Sequence, residues 1–242
     1  MSRNLAVDVG NSTVKCGVFE GTDLLDSIRI EGVTVGEVAS WGKERGASRA
    51  IVSMVRGDSA SFCDALGGEI STCRLTSRMK QPFESRYKTP ETLGGDRIAG
   101  MAAAAVLYRG LDVVVVDGGT ALTCDYMSGQ GVYEGGTISP GVGMRFQALR
   151  EHTGALPLVG VESYRGMLGR TTAECIAAGV VGGVLSEIAG FLQIIATFAT
   201  DFRLVLTGGD AELLESSLER PCEVRRELVL EGLNALLRYN VE

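Results

Sequence analysis

Apolar residues fall along the chain in short runs, each closed by a glycine-rich or polar turn. Leu5–Val9, Val14–Phe19 and Leu24–Ile30 follow one another with connections of a few residues, the mark of strands joined as a meander. The spacing then predicts a helix over Val35–Arg45, a strand at Ala50–Met54, a helix from about Ser59 and a strand at Ile70–Leu75. Pro82 to Pro90 reads as polar loop. The alanine-rich stretch Ile98 to Tyr108 is a helix by propensity, stopped by Gly110. A second round of strands follows at Val113–Val116, Ala121–Met127 and Val132–Ile138, then helices at Gly143–His152 and from Thr172 to about Phe198. Leu204–Leu206 is a buried strand ended by Gly208-Gly209, and helices over Asp210–Leu218 and Leu228–Arg238 complete the pattern.

The two rounds echo each other. Leu5-Ala6-Val7-Asp8-Val9-Gly10-Asn11-Ser12-Thr13 matches Val114-Val115-Val116-Asp117-Gly118-Gly119-Thr120-Ala121-Leu122 in outline: an apolar strand, Asp-x-Gly, a hydroxyl residue, a second strand. Strands alternating with helices in two matching halves predict a duplicated α/β fold, with domains 1–110 and 111–242 and a cleft between them.

Composition narrows the classes. The net charge of −7 leaves no basic footprint for nucleic acid or an anionic membrane. A polyanionic ligand would have to be held by backbone amides, single cations or a metal. The six cysteines include no CxxC pair and no signal peptide precedes Leu5, which suits small buried thiols in a reducing compartment. The apolar run Ile176–Leu185 is bounded by Glu174 and Ser186-Glu187, short of the roughly 18–20 uninterrupted residues of a membrane span. Zinc is disfavoured by a single histidine, His152, and unpaired cysteines.

In the turn after Asp8, Gly10 would let backbone N–H groups approach an anion, Ser12 and Thr13 offer hydroxyls, Lys15 a cation, and Asp8 an oxygen ligand for Mg²⁺. A plain hairpin turn uses the same residue types. The recurrence at Asp117-Gly118-Gly119-Thr120 favours a phosphate grip from both halves. Thr207-Gly208-Gly209-Asp210 joins a strand to a helix and could let a purine lie on the backbone. Asp96-Arg97 opens the alanine-rich helix, where an aspartate serves equally as an N-cap. Gly141-Val142-Gly143-Met144-Arg145-Phe146 lacks the third glycine and the acidic partner of a dinucleotide site.

In this order the three turns resemble the phosphate-1, phosphate-2 and adenosine motifs of the actin, Hsp70 and sugar kinase superfamily. Tyr87-Lys88-Thr89-Pro90-Glu91-Thr92-Leu93-Gly94-Gly95-Asp96-Arg97 resembles the signature of the type III pantothenate kinases. Gly135-Gly136-Thr137-Ile138-Ser139-Pro140-Gly141, Leu156-Pro157, Gly169-Arg170-Thr171-Thr172 and Gly232-Leu233 extend the likeness over nearly the whole chain. Ser12 and Gly118 depart from the Thr and Ala usual in that family.

The resemblance implies an actin-like, ribonuclease H-like fold of two domains, each a mixed sheet flanked by helices, and ATP-dependent phosphorylation of pantothenate at the start of coenzyme A biosynthesis. It implies Asp96 as catalytic base, and Tyr87, Gly94, Gly95, Asp96, Arg97 and Thr172 around pantothenate. ATP would be bound by Asp8, Val9, Gly10, Asn11, Ser12, Thr13, Val14, Lys15 and Thr120, with Mg²⁺ near Asp8 and a monovalent cation, K⁺ or NH₄⁺, on Asp117. A cytoplasmic homodimer with the substrate site at the subunit interface is implied too. Arg97 would bind the pantothenate carboxylate or the transferring phosphate. Two other readings stand beside this one: a kinase for another small hydroxylated metabolite, and a non-catalytic ATP-binding accessory or regulatory protein of the same family.

Overall fold

The computed structural model describes residues 2–10, 13–32, 34–54, 59–68 and 70–241. In chain order the first elements are β1 (Arg3–Val9), β2 (Thr13–Glu20), β3 (Asp23–Glu31), α1 (Val35–Glu44), β4 (Ala47–Met54), α2 (Ser59–Gly67), β5 (Ser71–Arg74), β6 (Glu84–Ser85) and α3 (Gly95–Leu107). Then come β7 (Asp112–Gly118), β8 (Ala121–Met127), β9 (Val132–Pro140), α4 (Val142–His152), α5 (Thr172–Ala177), a π-helical turn (Ala178–Gly182) and α6 (Gly183–Ala196). The last are β10 (Phe202–Thr207), α7 (Ala211–Ser217), β11 (Glu223–Val224) and α8 (Leu228–Val241).

Contacts divide the chain into two compact units, one of residues 1–110, 131–133 and 227–242 and one of residues 111–130 and 134–226. In the first unit the strands lie in the order β3-β2-β1-β4-β5, with β1 antiparallel to β2 and parallel to β4, and β4 parallel to β5. In the second they lie in the order β9-β8-β7-β10-β11, with β7 antiparallel to β8 and parallel to β10, and β10 parallel to β11. The echo in the sequence is therefore a repeat of topology.

Leu5, Ala6 and Val7 of β1 are all fully buried, as in a strand covered on both faces by helices. Their unit's core adds Val38 and Trp41 of α1, Val52 of β4 and Leu66 of α2. A capping box starts α1, with Thr34 Oγ1 accepting from Glu37 N and the Glu37 carboxylate accepting from Thr34 N. The second core gathers Val114, Val116, Cys124, Val181, Val184, Ile188, Leu204 and Leu206.

Two expectations need correction. The terminal helix α8 packs on α3 and β1 and so belongs to the first unit, not to a domain 111–242. The reason is local: small residues line α3, and a Cβ on Gly232 would overlap the Ala99 carbonyl oxygen, so the helices meet backbone to backbone. Asn234 fastens α8 further by accepting from Asn4 Nδ2 at 2.9 Å and donating to Gly21 O at 2.9 Å. Next, the stretch Pro82 to Pro90 is not all loop, because Glu84 and Ser85 pair with Val132 and Tyr133. The helix expected from Thr172 to about Phe198 is present as one continuous helical path over Thr172–Ala196, which by length and composition alone would suffice to cross a membrane. Half of its most apolar window is buried in the second unit's core.

Candidate active site

Asp8, next to last in β1, has Lys15 as its antiparallel partner on one side and Ser53 as its parallel partner on the other. These are the carboxyl ends of β1 and β4, the edge where open α/β sheets bind ligands. Burial first, and the Asp96 carboxylate second, raise Asp8 from 3.8 to about 6, against the pull of Lys15 and the Ser53 hydroxyl. Asp8 Oδ1 and Ser53 Oγ are both buried and meet hydrogen-bond geometry with no group. The Ser53 hydroxyl thus acts on its neighbour by proximity rather than through a formed bond. Each such orphan costs roughly 1–3 kcal/mol of stability. Gly10 N donates to Thr13 O at 3.0 Å and closes the turn, whose Asn11 and Ser12 lie outside the described residues.

Asp96 stands in the first turn of α3. The cap is Gly94, which offers no side chain, so Asp96 is not the N-cap. Its Oδ1 accepts from Arg97 N at 2.8 Å and fills the space a Gly94 side chain would need. The adjacent Gly95 approaches Ser53, whose Oγ would lie 2.7 Å from a Cβ placed there. A cavity of about 280 Å³ opens here, lined by Ser53, Arg74, Thr76, Ser77, Glu91 and Gly95 among others. Arg97 is 8% exposed, donates from Nη2 to Tyr133 Oη at 2.9 Å and lies 5.8 Å from the Tyr87 ring centroid. The Tyr87 and Tyr133 rings stack at 6.1 Å. Tyr87, Gly94, Gly95, Asp96 and Arg97 are thus neighbours in one unit.

The second unit carries Asp117, Thr120 and Thr172. Asp117 has Thr207 of β10 as its parallel partner, the same relation that Asp8 has to Ser53. Thr207 Oγ1 is likewise buried without a partner. Gly208, at φ +89°, leaves room where a Cβ would overlap Asp117 Oδ1 and Gly118 O, and Asp210 N donates to Gly118 O at 2.8 Å. The phosphate-2 and adenosine motifs are therefore in direct contact. Thr120 O accepts from Gly141 N at 3.0 Å. Thr172 is exposed at the start of α5, whose cap is Thr171.

Sequence reading missed Ser53 and the corner at Gly141, and took Thr207 only as the first residue of a turn that could take a purine. Arg145 donates to Pro140 O at 2.7 Å and pairs with Glu187 at 2.5 Å, while Ser139 Oγ donates to Glu187 Oε1 at 2.5 Å. Burial opposes the charge on Glu187, but Ser139 and Arg145 outweigh it and hold the carboxyl below its usual range. The polar residue ending each apolar run, Ser53 or Thr207, was the available signal.

The pattern of the type III pantothenate kinase family matches residues 4–193. The chain belongs to the type III pantothenate kinases. A family member from Cytophaga hutchinsonii is 37% identical over 238 residues, covering 98% of this chain and all of the relative. One from Bacteroides fragilis is 34% identical over 238 residues, covering 98% of both. Among solved structures, a protein described as a Baf family transcriptional activator from Campylobacter jejuni superposes with a TM-score of 0.65 at 20% identity over 98% of both chains. Another, described as a 2-dehydro-3-deoxygalactonokinase from Sinorhizobium meliloti, gives 0.60 at 15% identity over 99% of both. These two share the actin-like fold of the chain.

Proposed function

We propose that this protein transfers the terminal phosphoryl group of ATP to the primary alcohol of pantothenate, giving 4'-phosphopantothenate, the first step of coenzyme A biosynthesis. Family membership supports the reaction. The observation that carries the site is that the strand-end edge bearing Asp8 and Ser53 meets the first turn of α3, where Gly95 abuts Ser53 Oγ beside the cavity and Asp96 follows.

Phosphoryl transfer asks for alignment and charge neutralisation more than covalent help. Asp96 orients the alcohol. As the new O–P bond forms, the bond to the ADP oxygen breaks and its electron pair leaves with ADP, while the alcohol proton passes late to the Asp96 carboxylate. A carboxylate is a feeble base toward a free alcohol, so the transfer follows bond formation rather than leading it. Arg97, donating to Tyr133 Oη and held beside the Tyr87 ring that stacks on Tyr133, presents a fixed guanidinium to the carboxylate of pantothenate.

The turn from Asp8 to Lys15, with Val9, Gly10, Thr13 and Val14, and Thr120 in the other unit take the ATP phosphates. Among the described residues no three His, Cys, Asp or Glu side chains gather to cage a metal. The orphaned, buried Asp8 Oδ1 at this edge suits Mg²⁺ held through water and phosphate oxygens, where it would neutralise charge on the transferring group. Asp117 holds K⁺ or NH₄⁺. A cytoplasmic homodimer brings Thr172 to the substrate, and the exposed Ile194 and Phe198 on and after α6 suit a subunit interface.

The test is ATP-dependent phosphorylation of pantothenate in potassium and again in sodium. Activity should appear with potassium and be slight with sodium alone. Asp96→Asn should lose about 100-fold or more in kcat. Wild-type turnover in that variant would remove Asp96 as the base, and activity on a sugar with none on pantothenate would remove the substrate.

A further inference from the structure

Among the described residues, five buried side-chain atoms lack hydrogen-bond partners: Asn4 Oδ1, Asp8 Oδ1, Ser53 Oγ, Ser128 Oγ and Thr207 Oγ1. Asn4 is anchored through its amide nitrogen, and Ser128 lies just past the end of β8. Ser53 and Thr207 differ from these in being equivalent to each other. Each is 2% exposed, and each sits at the carboxyl end of the strand that runs parallel to the Asp-bearing strand of its own unit. Register pairs Ser53 with Asp8 and Thr207 with Asp117. Parallel neighbours in register share a face of the sheet, so each hydroxyl stands beside its aspartate at the ligand-binding edge.

Packing does not account for them. Alanine in place of serine, or valine in place of threonine, would remove the orphan and keep nearly the same volume. The two repeats place the hydroxyl identically while using different residues in different surroundings. Ser53 lines the cavity beside Gly95 and the Asp96 turn. Thr207 stands where Gly208 and Gly118 close around Asp117.

We infer that Ser53 and Thr207 are ligand-contacting hydroxyls whose hydrogen bonds form only on binding: Ser53 to the hydroxyl-bearing end of the acceptor alcohol, Thr207 to a phosphate oxygen of the nucleotide. The inference rests on the kinase reading above and adds two residues to it. It also separates them by substrate, since the two hydroxyls serve different partners.

The experiment compares Ser53→Ala, Thr207→Val and Thr207→Ser with the full-length wild type. It reads ligand-free Tm, the Tm shift induced by Mg-ATP, and KM for ATP and for pantothenate. Ser53→Ala should raise KM for pantothenate roughly tenfold with KM for ATP unmoved, and Thr207→Val should do the reverse. Thr207→Ser keeps the hydroxyl and should keep the ATP KM. Ligand-free Tm should hold or rise in Ser53→Ala and Thr207→Val, because each loses a buried polar atom with no partner. A fall of several degrees with both KM values normal would make the hydroxyls structural. An unmoved KM for the matching substrate overturns the assignment of that residue whatever Tm does, as does a rise in both KM values together with a lowered Tm. If wild type fails to phosphorylate pantothenate, the kinase reading is what has failed. The ATP-induced Tm shift in Thr207→Val then still judges Thr207 by itself.

Discussion

At Asp8 the folded chain binds a proton in a pH range where the unfolded chain has lost it. A carboxyl raised from 3.8 to about 6 contributes stability that is fully present below the unfolded value and is lost as the pH climbs through about 6. Metal-free, ligand-free Asp8→Asn should therefore be more stable than wild type at pH 7.5, on the order of 1–3 kcal/mol, with the gap closing toward pH 4. Thermal melts at the two pH values decide it, and a constant gap would mean that ionisation of Asp8 is not the cause. The strand-end acids Asp8 and Asp117, and Asp96, were readable in the sequence because each borders glycines after or before an apolar run. Ser53 was not, and Thr207 was read only as part of a glycine turn, because what singles out the two hydroxyls is register between strands that are not consecutive. The alternative reading of Asp96 as an N-cap does not hold, because Gly95 has already entered the helix, leaving Gly94 as the cap.

Among the elements, the passage from β9 into α4 holds the phosphate-2 turn in place. A Cβ on Gly141 would overlap Gly119 O and lie 2.7 Å from Thr120 O, both backbone atoms with little freedom to give. Gly141→Ala should cost about 1–3 kcal/mol or more and raise KM for ATP, because the turn must shift to admit the methyl group. Loss of stability with an unchanged KM would uncouple the corner from the nucleotide. Behind it, Glu187 of α6 ties Ser139 and Arg145 together. Its depressed carboxyl contributes stability above the unfolded value of 4.5 that is lost as the pH falls through the folded one. Glu187→Gln should lower Tm at pH 7, by roughly 1–3 kcal/mol in stability, and less at pH 4. Element types followed from apolar periodicity, as with Ala121–Met127, which the strand β8 matches end for end. The two-residue strands β6 and β11 had no such pattern, since partners distant in the sequence alone define them.

For the molecule as a whole, the matching strand orders of the two units were foreshadowed by the repeated Asp-x-Gly openings. The return of α8 was not, because a helix at the end of a chain carries no label for the sheet it will cover. Gly232→Ala, forcing a methyl against the Ala99 carbonyl, should destabilise the first unit by about 1–3 kcal/mol or more. A melt that loses several degrees, with hydrogen exchange rising in β1 and α3 before β7 and β10, is the expected result. Uniform loosening of both units would mean that they unfold as one.

Since α8 covers α3 and β1, residues 3–9 and 95–107 find their last partner only at residues 228–241. During synthesis these residues must therefore wait, the alanine-lined helix uncovered, until the whole intervening unit has been made. A nascent chain stalled before residue 228 should accordingly present that helix to chaperones and proteases, while the unit translated after it can already close upon itself.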